Sequence, residues 1–369
     1  PRWRRVLADV GCGELPGAKP FGAKKAPTCN AGRGHTIYGF PGCGTARQQS
    51  RAERYRSSGM IITNPPVALS DELWMLGSSA YPLYLVQSQQ QAALFEGGTS
   101  AMAPLLQQQM RELDLDPQAV QTLVITHAHP DHVMAVPLLR SFLPRAAVAA
   151  STAAVRTLSA EKALALFAQI DQALTGALLS AGAIAPQHRC DTPREHQIPV
   201  DRVLQEGDVV TVGDLGFRVL ATTGHSDCSL SFYEPERKIL LVSDATGYYL
   251  PQYDYWWPNY FADYGQYLES MRRLAQLETD LLCLSHNAVL IGRETIAEYF
   301  DKAIQATERY HQRILELAAS GKQVRQIAEE LGAEVYQKTQ LLPLDFFQKN
   351  CNVLVKNSLR YAESAGHTS

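Results

Sequence analysis

The chain has 369 residues, 46% of them apolar and 19% charged, which is enough to bury a large core and more than one average domain needs. That composition excludes collagen-like, coiled-coil and wholly disordered chains. No uninterrupted apolar run reaches the roughly 18 residues of a membrane span, and a net charge of −3 gives no reason to expect nucleic acid or an anionic membrane as partner.

Seven cysteines (Cys12, Cys29, Cys43, Cys190, Cys228, Cys283 and Cys351) form no CxxC pair. A chain of this size needs no disulfide staples, so a reducing, cytoplasmic setting is the expectation.

Residues 1–59 are a different kind of sequence. They hold 11 Lys or Arg against 3 Asp or Glu and 10 of the 25 glycines, with few large apolar side chains. Such a stretch cannot bury enough surface to offset its ordering entropy. It has no apolar h-region or small-residue cleavage site of a secretory signal. The spacings of Cys12, Cys29, Cys43 and His35 fit no zinc template. We read it as a disordered or non-native extension ahead of a natural start at Met60.

From Ser70 onward, strands and helices follow in order. Glu72–Leu76, Leu83–Gln87 and Ala92–Glu96 read as short β-runs, the last ending at Gly97-Gly98. Ala101–Leu113 carries Met102, Leu105, Leu106, Met110 and Leu113 at helical spacing. A buried strand follows at Val120–Thr126, then a helix at Val133–Phe142, a strand at Ala147–Ala150 and a long Ala/Leu-rich helix at Glu161–Leu179. Strands are expected at Val209–Val212, Arg218–Thr222, Ser229–Tyr233 and Lys238–Val242, then a helix at Tyr264–Leu277 and a strand at Leu281–Leu284. Two strand-rich halves, each closed by helices, make a layered α/β sandwich over 60–291. The remainder, 292–369, reads as a helical subdomain, with helices at Glu294–Ala319, Val324–Leu331 and Asp345–Tyr361.

The chemistry concentrates where strands end. The strand at Val120 runs into His127-Ala128-His129-Pro130-Asp131-His132, four donors in six residues. In a turning loop, His127 and His129 can point to one side while Asp131 and His132 reach the other, so one loop can serve two adjacent metal ions. Three later strands lead to Thr223-Gly224-His225-Ser226, Ser243-Asp244-Ala245 and Ser285-His286-Asn287. Taken singly, these three are a turn residue, a helix cap and a loop histidine. Their shared strand-then-donor context argues for convergence on one sheet edge. Neutral imidazoles and carboxylates without thiolate suit Zn²⁺, with Fe or Mn as alternatives. Cys228 reads as a small packed side chain rather than a ligand.

The series THAHPDH, TGHS, SDA and SHN resembles the metallo-β-lactamase-fold hydrolases over about residues 70–290. The resemblance implies an αββα four-layer sandwich, here with a C-terminal helical extension. It implies that His127, His129 and His225 hold one metal, that Asp131, His132 and His286 hold a second, and that Asp244 bridges them. Two such cations share a water and lower its pKa to yield a hydroxide that attacks the substrate, with Asp131 as the catalytic group that orients it and takes its proton.

Within that family, antibiotic-hydrolysing members typically lack the bridging aspartate, so Asp244 points away from a true β-lactamase. Lactonases place a tyrosine three residues beyond that aspartate, where this chain has Gly247, then Tyr248. C-terminal helices occur in acyl-coenzyme A thioesterases, in the glyoxalase II, thioesterase and lactonase branch. The expected substrate is a small-molecule ester, with a thioester first and a lactone second.

The segment after Asp244 is dense in aromatics, and Tyr248, Tyr249, Trp256 and Trp257 are candidate substrate contacts. The competing account of these side chains is padding beneath the helical tail or a homodimer contact. Two other functions stay open: a persulfide-dioxygenase-like oxidoreductase with a single iron, and a metal-binding regulatory module.

Overall fold

The computed structural model describes residues 59–190, 197–339 and 342–366. The extension 1–59, with Cys12, Cys29, Cys43 and His35, lies outside the described residues apart from Gly59.

Two seven-stranded sheets form the middle of the molecule. The first runs, in order across the sheet, β2 (Val67–Ala68), β3 (Leu73–Gly77), β4 (Pro82–Ser88), β5 (Gln91–Phe95), β6 (Val120–Val124), β7 (Ala147–Ser151) and β8 (Arg202–Leu204). The second runs β1 (Met60–Ile62), β16 (Val289–Ile291), β15 (Leu281–Cys283), β12 (Ile239–Leu241), β11 (Leu230–Glu234), β10 (Leu215–Ala221) and β9 (Val209–Val212). A small hairpin of β13 (Tyr248–Leu250) and β14 (Tyr255–Trp257) stands apart from both.

Period-two alternation along the strands explains the layering, because successive side chains point to opposite faces. On β4, Tyr84 and Val86 face the other sheet, while Leu83 and Leu85 face helices. On β12, Ile239 and Leu241 face the other sheet and Leu240 faces helices. Strands buried on both sides read as continuous apolar runs, which is why they are so visible in the sequence. Between the sheets, the Phe95 ring meets Phe217 at 5.2 Å and Phe232 at 5.1 Å.

The outer face of the first sheet is covered by α1 (Met102–Glu112), α2 (Pro130–Val133), α3 (Val136–Phe142), α4 (Thr152–Leu158) and α5 (Glu161–Ser180). The outer face of the second is covered by α6 (Tyr264–Ala275), α7 (Arg293–Ala319), α8 (Val324–Thr339) and α9 (Leu344–Gly366). The architecture is the αββα sandwich, and its C-terminal helices share one apolar cluster with the second sheet.

Several elements depart from expectation. The helix expected at Val133–Phe142 is two pieces, α2 and α3, broken at Met134-Ala135. Strands β1, β2, β8, β13, β14 and β16, of two or three residues each, carry too little periodicity to be seen. The helix α4 is short and was equally silent. The exclusion of membrane-length apolar segments needs correction at α5. Its 20 residues include an 18-residue window of mean hydropathy 1.3, apolar enough by composition to cross a bilayer, because alanines and leucines outweigh isolated polar residues. A third of that window is buried, and Leu164, Phe167, Leu174 and Leu178 pack into the core.

Asp171 is fully buried on α5 and ties that helix to the loop before α1. Its carboxylate accepts from the Ser100 amide at 2.7 Å and from the Ser100 hydroxyl at 2.5 Å. Asp171→Ala would leave both donors unpaired. The expected loss is about 2–4 kcal/mol of stability, read as a fall in the urea midpoint at unchanged slope. An unchanged midpoint would refute this role.

Candidate metal centre

Strand direction explains how distant donors meet. In the first sheet β5 and β6 are parallel, and in the second β12 and β15 are parallel. Both β10 and β12 run antiparallel to β11, so β10 shares the direction of β12 and β15. Residues just past the carboxyl ends of these strands therefore gather at shared edges. His127 and His129 follow β6, and Asp131 and His132 sit on α2, which Pro130 opens at its first position. His225 follows β10, Asp244 begins a 3₁₀ turn after β12, and His286 follows β15.

Gly224 makes the approach of His225 feasible. Its φ is +119°, and a Cβ there would lie 2.2 Å from the Tyr267 amide nitrogen. Its carbonyl accepts from the Ala262 and Asp263 amides, both at 3.0 Å, so only glycine fits this crossing.

The structure brings all seven expected ligands together in two overlapping sets. In the first, His225 Nε2 lies 3.2 Å from His127 Nε2 and 2.8 Å from His129 Nδ1, and the latter two are 3.0 Å apart. In the second, His132 Nε2 and His286 Nε2 lie 3.4 Å and 3.8 Å from Asp131 Oδ2. Asp244 stands between them. Its Oδ2 faces His225 Nε2 at 3.5 Å and His127 Nε2 at 4.0 Å, while its Oδ1 faces His286 Nε2 at 3.3 Å and His132 Nε2 at 3.8 Å.

This donor set fits divalent cations. Ligands about 2.0–2.1 Å from a tetrahedral zinc ion stand about 3.3 Å from one another, close to the spacing of the first set. In addition, His132 Nε2 and Asp244 Oδ1 are buried without a hydrogen-bond partner. Unpaired buried polar atoms cost stability, and a cation would satisfy both.

The outer nitrogens of the histidines are held. His225 Nδ1 donates to the Asn259 carbonyl at 2.7 Å and His286 Nδ1 to the Ala80 carbonyl at 2.7 Å. His132 Nδ1 meets the Glu96 carboxylate at 2.8 Å, and His127 Nδ1 meets the Ser243 hydroxyl at 2.9 Å. A carbonyl only accepts, so Nδ1 carries a proton in both His225 and His286, and in the neutral, ligating form of either ring Nε2 is left bare toward the centre. Glu96 also accepts from Thr126 at 2.9 Å and Ser285 at 3.2 Å, tying three strand exits together. In the sequence Glu96 stands only as the end of the Ala92–Glu96 run, although it shares the strand-then-donor context of the ligands. Cys228 is buried, and its sulfur accepts the Ala128 amide at 3.2 Å, which steadies the backbone between His127 and His129.

Burial lowers the pKa of His127, further lowered by the neighbouring His132 and His129. Burial likewise pushes His129 down to about 3 and lowers His225. Burial acts the same way on His132 and His286, but the carboxylates of Asp131, Glu96 and Asp244 around the one, and of Asp244 and Asp131 around the other, override it and raise both. Burial raises the carboxyls of Asp131 and Asp244, yet His132 and His286 bring Asp131 down to about 2, and His286, His225 and His132 hold Asp244 well below the usual range.

Of the four aromatic candidates, Tyr248 lies beside the centre, its ring 4.9 Å from that of His286. Tyr249 and Trp256 stack at 4.4 Å and pack on Tyr299 of α7, and Trp257 packs on Phe347 of α9. These three line the seam with the C-terminal helices. Two further aromatics stand by the site: Phe261 of the same aromatic segment, 5.4 Å from His225, and Tyr81, outside that segment, 5.6 Å from His286.

A family model described as the metallo-beta-lactamase superfamily matches residues 81–286, more than half of the chain and the whole of this donor set. The chain belongs to the metallo-beta-lactamase superfamily. Its fold is similar to that of a metallo-beta-lactamase from Novosphingobium pentaromativorans, with 24% identity and a TM-score of 0.50 over 70% of this chain and 94% of the other. It is also similar to a metallo-beta-lactamase from Cronobacter sakazakii, with 19% identity and a TM-score of 0.50 over 71% of this chain and 98% of the other. An uncharacterized protein of Aquifex aeolicus (strain VF5) is 43% identical over 44 residues, 12% of this chain. That match spans about a fifth of the relative's length. Superfamily members bind divalent metals, and the His/Asp groups described here are able to do so.

The histidine shifts have a consequence for the metal-free protein. Below the ordinary histidine pKa of about 6.5 the unfolded chain protonates His127, His129 and His225 while the folded chain keeps them neutral, so stability falls with falling pH. Above that value His132 and His286 stay protonated in the folded chain alone, and their contribution is lost as pH rises through their raised pKa values. Melting temperature of the metal-stripped protein is therefore expected to peak near pH 6.5. A monotonic rise from pH 5 to 9 would contradict the shifts.

Proposed function

We propose that this chain is a hydrolase that uses two divalent ions, zinc first among them, to cleave an ester-type bond, with a thioester favoured and a lactone second. The observation that carries the reading is Asp244, whose two carboxylate oxygens face separate donor sets, Oδ2 toward His127 and His225 and Oδ1 toward His132 and His286. A carboxylate so placed suits a bridge between two ions. His127, His129 and His225 would hold one, and Asp131, His132 and His286 the other.

A pair of divalent ions held by these residues would lower the pKa of a coordinated water and would polarise a carbonyl oxygen. The protein's own groups do the rest. Asp131 is the catalytic residue in this reading. Its side chain is 23% exposed and its carboxyl is held down to about 2, so it is ionised and within reach of water, whose hydrogen bonds it would accept and so orient it. Tyr248 is half-buried beside His286, and burial pushes its hydroxyl up to about 12, so it stays protonated and serves as a hydrogen-bond donor to substrate. Phe261 and Tyr81 add apolar surface on either side for an acyl group. The solved structures of similar fold include metallo-beta-lactamases, and a β-lactam belongs in the same assay panel as thioesters, lactones and phosphodiesters.

Elemental analysis of protein purified without a histidine tag should return about two zinc, iron or manganese ions per chain. Asp131→Ala and Asp244→Ala, each folded, should lower turnover of the best substrate at least about 100-fold. Full activity in both variants would sink the reading. A single iron with oxygen uptake on glutathione persulfide would replace it with an oxidoreductase. Protein that cannot be loaded with metal would point instead to a regulatory module.

A further inference from the structure

Most of the chemistry lies before residue 290, yet one ligand position is tied to the far end of the chain. His225 Nδ1 donates to the Asn259 carbonyl at 2.7 Å, and the same carbonyl accepts the Phe261 amide at 2.8 Å. The next residue, Tyr260, is fully buried and bonded twice to α9. Its carbonyl accepts from Asn357 Nδ2 at 2.8 Å, and its hydroxyl meets the Ser358 hydroxyl at 2.8 Å. Asn357 is itself aimed. Its Oδ1 accepts from Arg360 at 2.8 Å, which leaves the amide nitrogen for Tyr260. On its other side the 259–263 turn is pinned by the Gly224 carbonyl, which takes the Ala262 and Asp263 amides.

The turn thus has two anchors, one on the ligand loop and one on α9. A carbonyl that drifted by a few tenths of an ångström would let the His225 ring rotate and would loosen the choice of proton position that bares Nε2. We propose that Asn357 and Ser358 of α9 are positioning residues for the metal centre: through Tyr260 they fix the Asn259 carbonyl that orients His225, so the last helix sets metal affinity. This rests on His225 being a ligand, as proposed above. It gives the helical tail a role in the site beyond covering the second sheet, and it involves no contact of α9 with substrate.

The experiment measures Zn²⁺ affinity by competition with a chromophoric chelator, and the visible spectrum of Co²⁺-loaded protein, alongside melting temperature. Asn357→Ala is expected to weaken affinity for the tighter ion about 10-fold and to alter the Co²⁺ spectrum. Tyr260→Phe keeps the ring and loses only the Ser358 bond, so it should fold and show a smaller weakening of the same sign. Leu354→Ala, fully buried on the same helix but outside the relay, is expected to lower the melting temperature without changing either metal readout. Affinity that falls in Leu354→Ala as far as in Asn357→Ala would overturn the proposal, since the helix would then act through stability alone. Unchanged affinity in both Asn357→Ala and Tyr260→Phe would also overturn it. His225→Ala separates the two readings: if it too leaves affinity unchanged, the ligand assignment has failed, and if it weakens binding while Asn357→Ala does not, only the relay has failed.

Discussion

A carboxylate shut away from water among imidazoles is the constraint on which the rest of this molecule turns. Asp244 is 4% exposed, and its two oxygens face histidines from three different chain segments. Removing such a charge from solvent costs several kcal/mol unless positive charge and hydrogen bonds are held in place around it. Without metal, the positive charge comes from His132 and His286, whose pKa values are raised by Asp131, Glu96 and Asp244. The opposite side behaves differently, because His127, His129 and His225 are kept neutral by burial and by one another. The imidazoles of one half thus hold a proton more readily than those of the other, with Asp244 at the border. Neutral imidazole is the form that ligates, so the first set needs no deprotonation near neutral pH while the second must release protons on loading.

Holding these groups so close requires a rigid surround, and the two sheets supply it. The donors leave strands buried on both faces, where packing leaves little room for the backbone to shift. Each loop is then pinned again. Glu96 joins Thr126, His132 and Ser285, Cys228 receives the Ala128 amide, and Thr246, on the turn begun by Asp244, accepts the Tyr299 hydroxyl at 2.9 Å. The last of these comes from α7, so the helical layer reaches the Asp244 turn as well as the turn beside His225.

What was legible in the sequence follows the strength of the local signal. Apolar runs such as Val209–Val212 fall on strands with the expected bounds, and the family model bears out the sandwich. The histidine cluster after β6 was visible because four donors in six residues have no ordinary packing explanation. Glu96 stayed hidden since a lone glutamate at a strand end has several. Its backbone φ of +78° and its contacts with three other loops exist only once the chain is folded. The short strands β1 and β16 pair Met60 with Ile291 and Ile62 with Val289, partners some 230 residues apart, and nothing local announces such a pairing. Asn357 is the extreme case, being an ordinary polar residue in a helix until its amide is seen against Tyr260.

The aromatic segment after Asp244 shows how one composition serves two ends. Most of it, including Tyr249, Trp256, Trp257, Tyr260 and Tyr267, is buried beneath α7 and α9, where large flat side chains fill the seam between sheet and helices. Tyr248, at the start of that run, and Phe261, within it, stay half-buried against His286 and His225. The buried part cannot move without disturbing the helical layer, and it fixes where these two rings stand. One of these rings stands 4.9 Å from His286 and the other 5.4 Å from His225, so each donor set has an aromatic neighbour whose place depends on packing in the seam. Substitutions that repack the seam would then move Tyr248 and Phe261 without touching any donor residue.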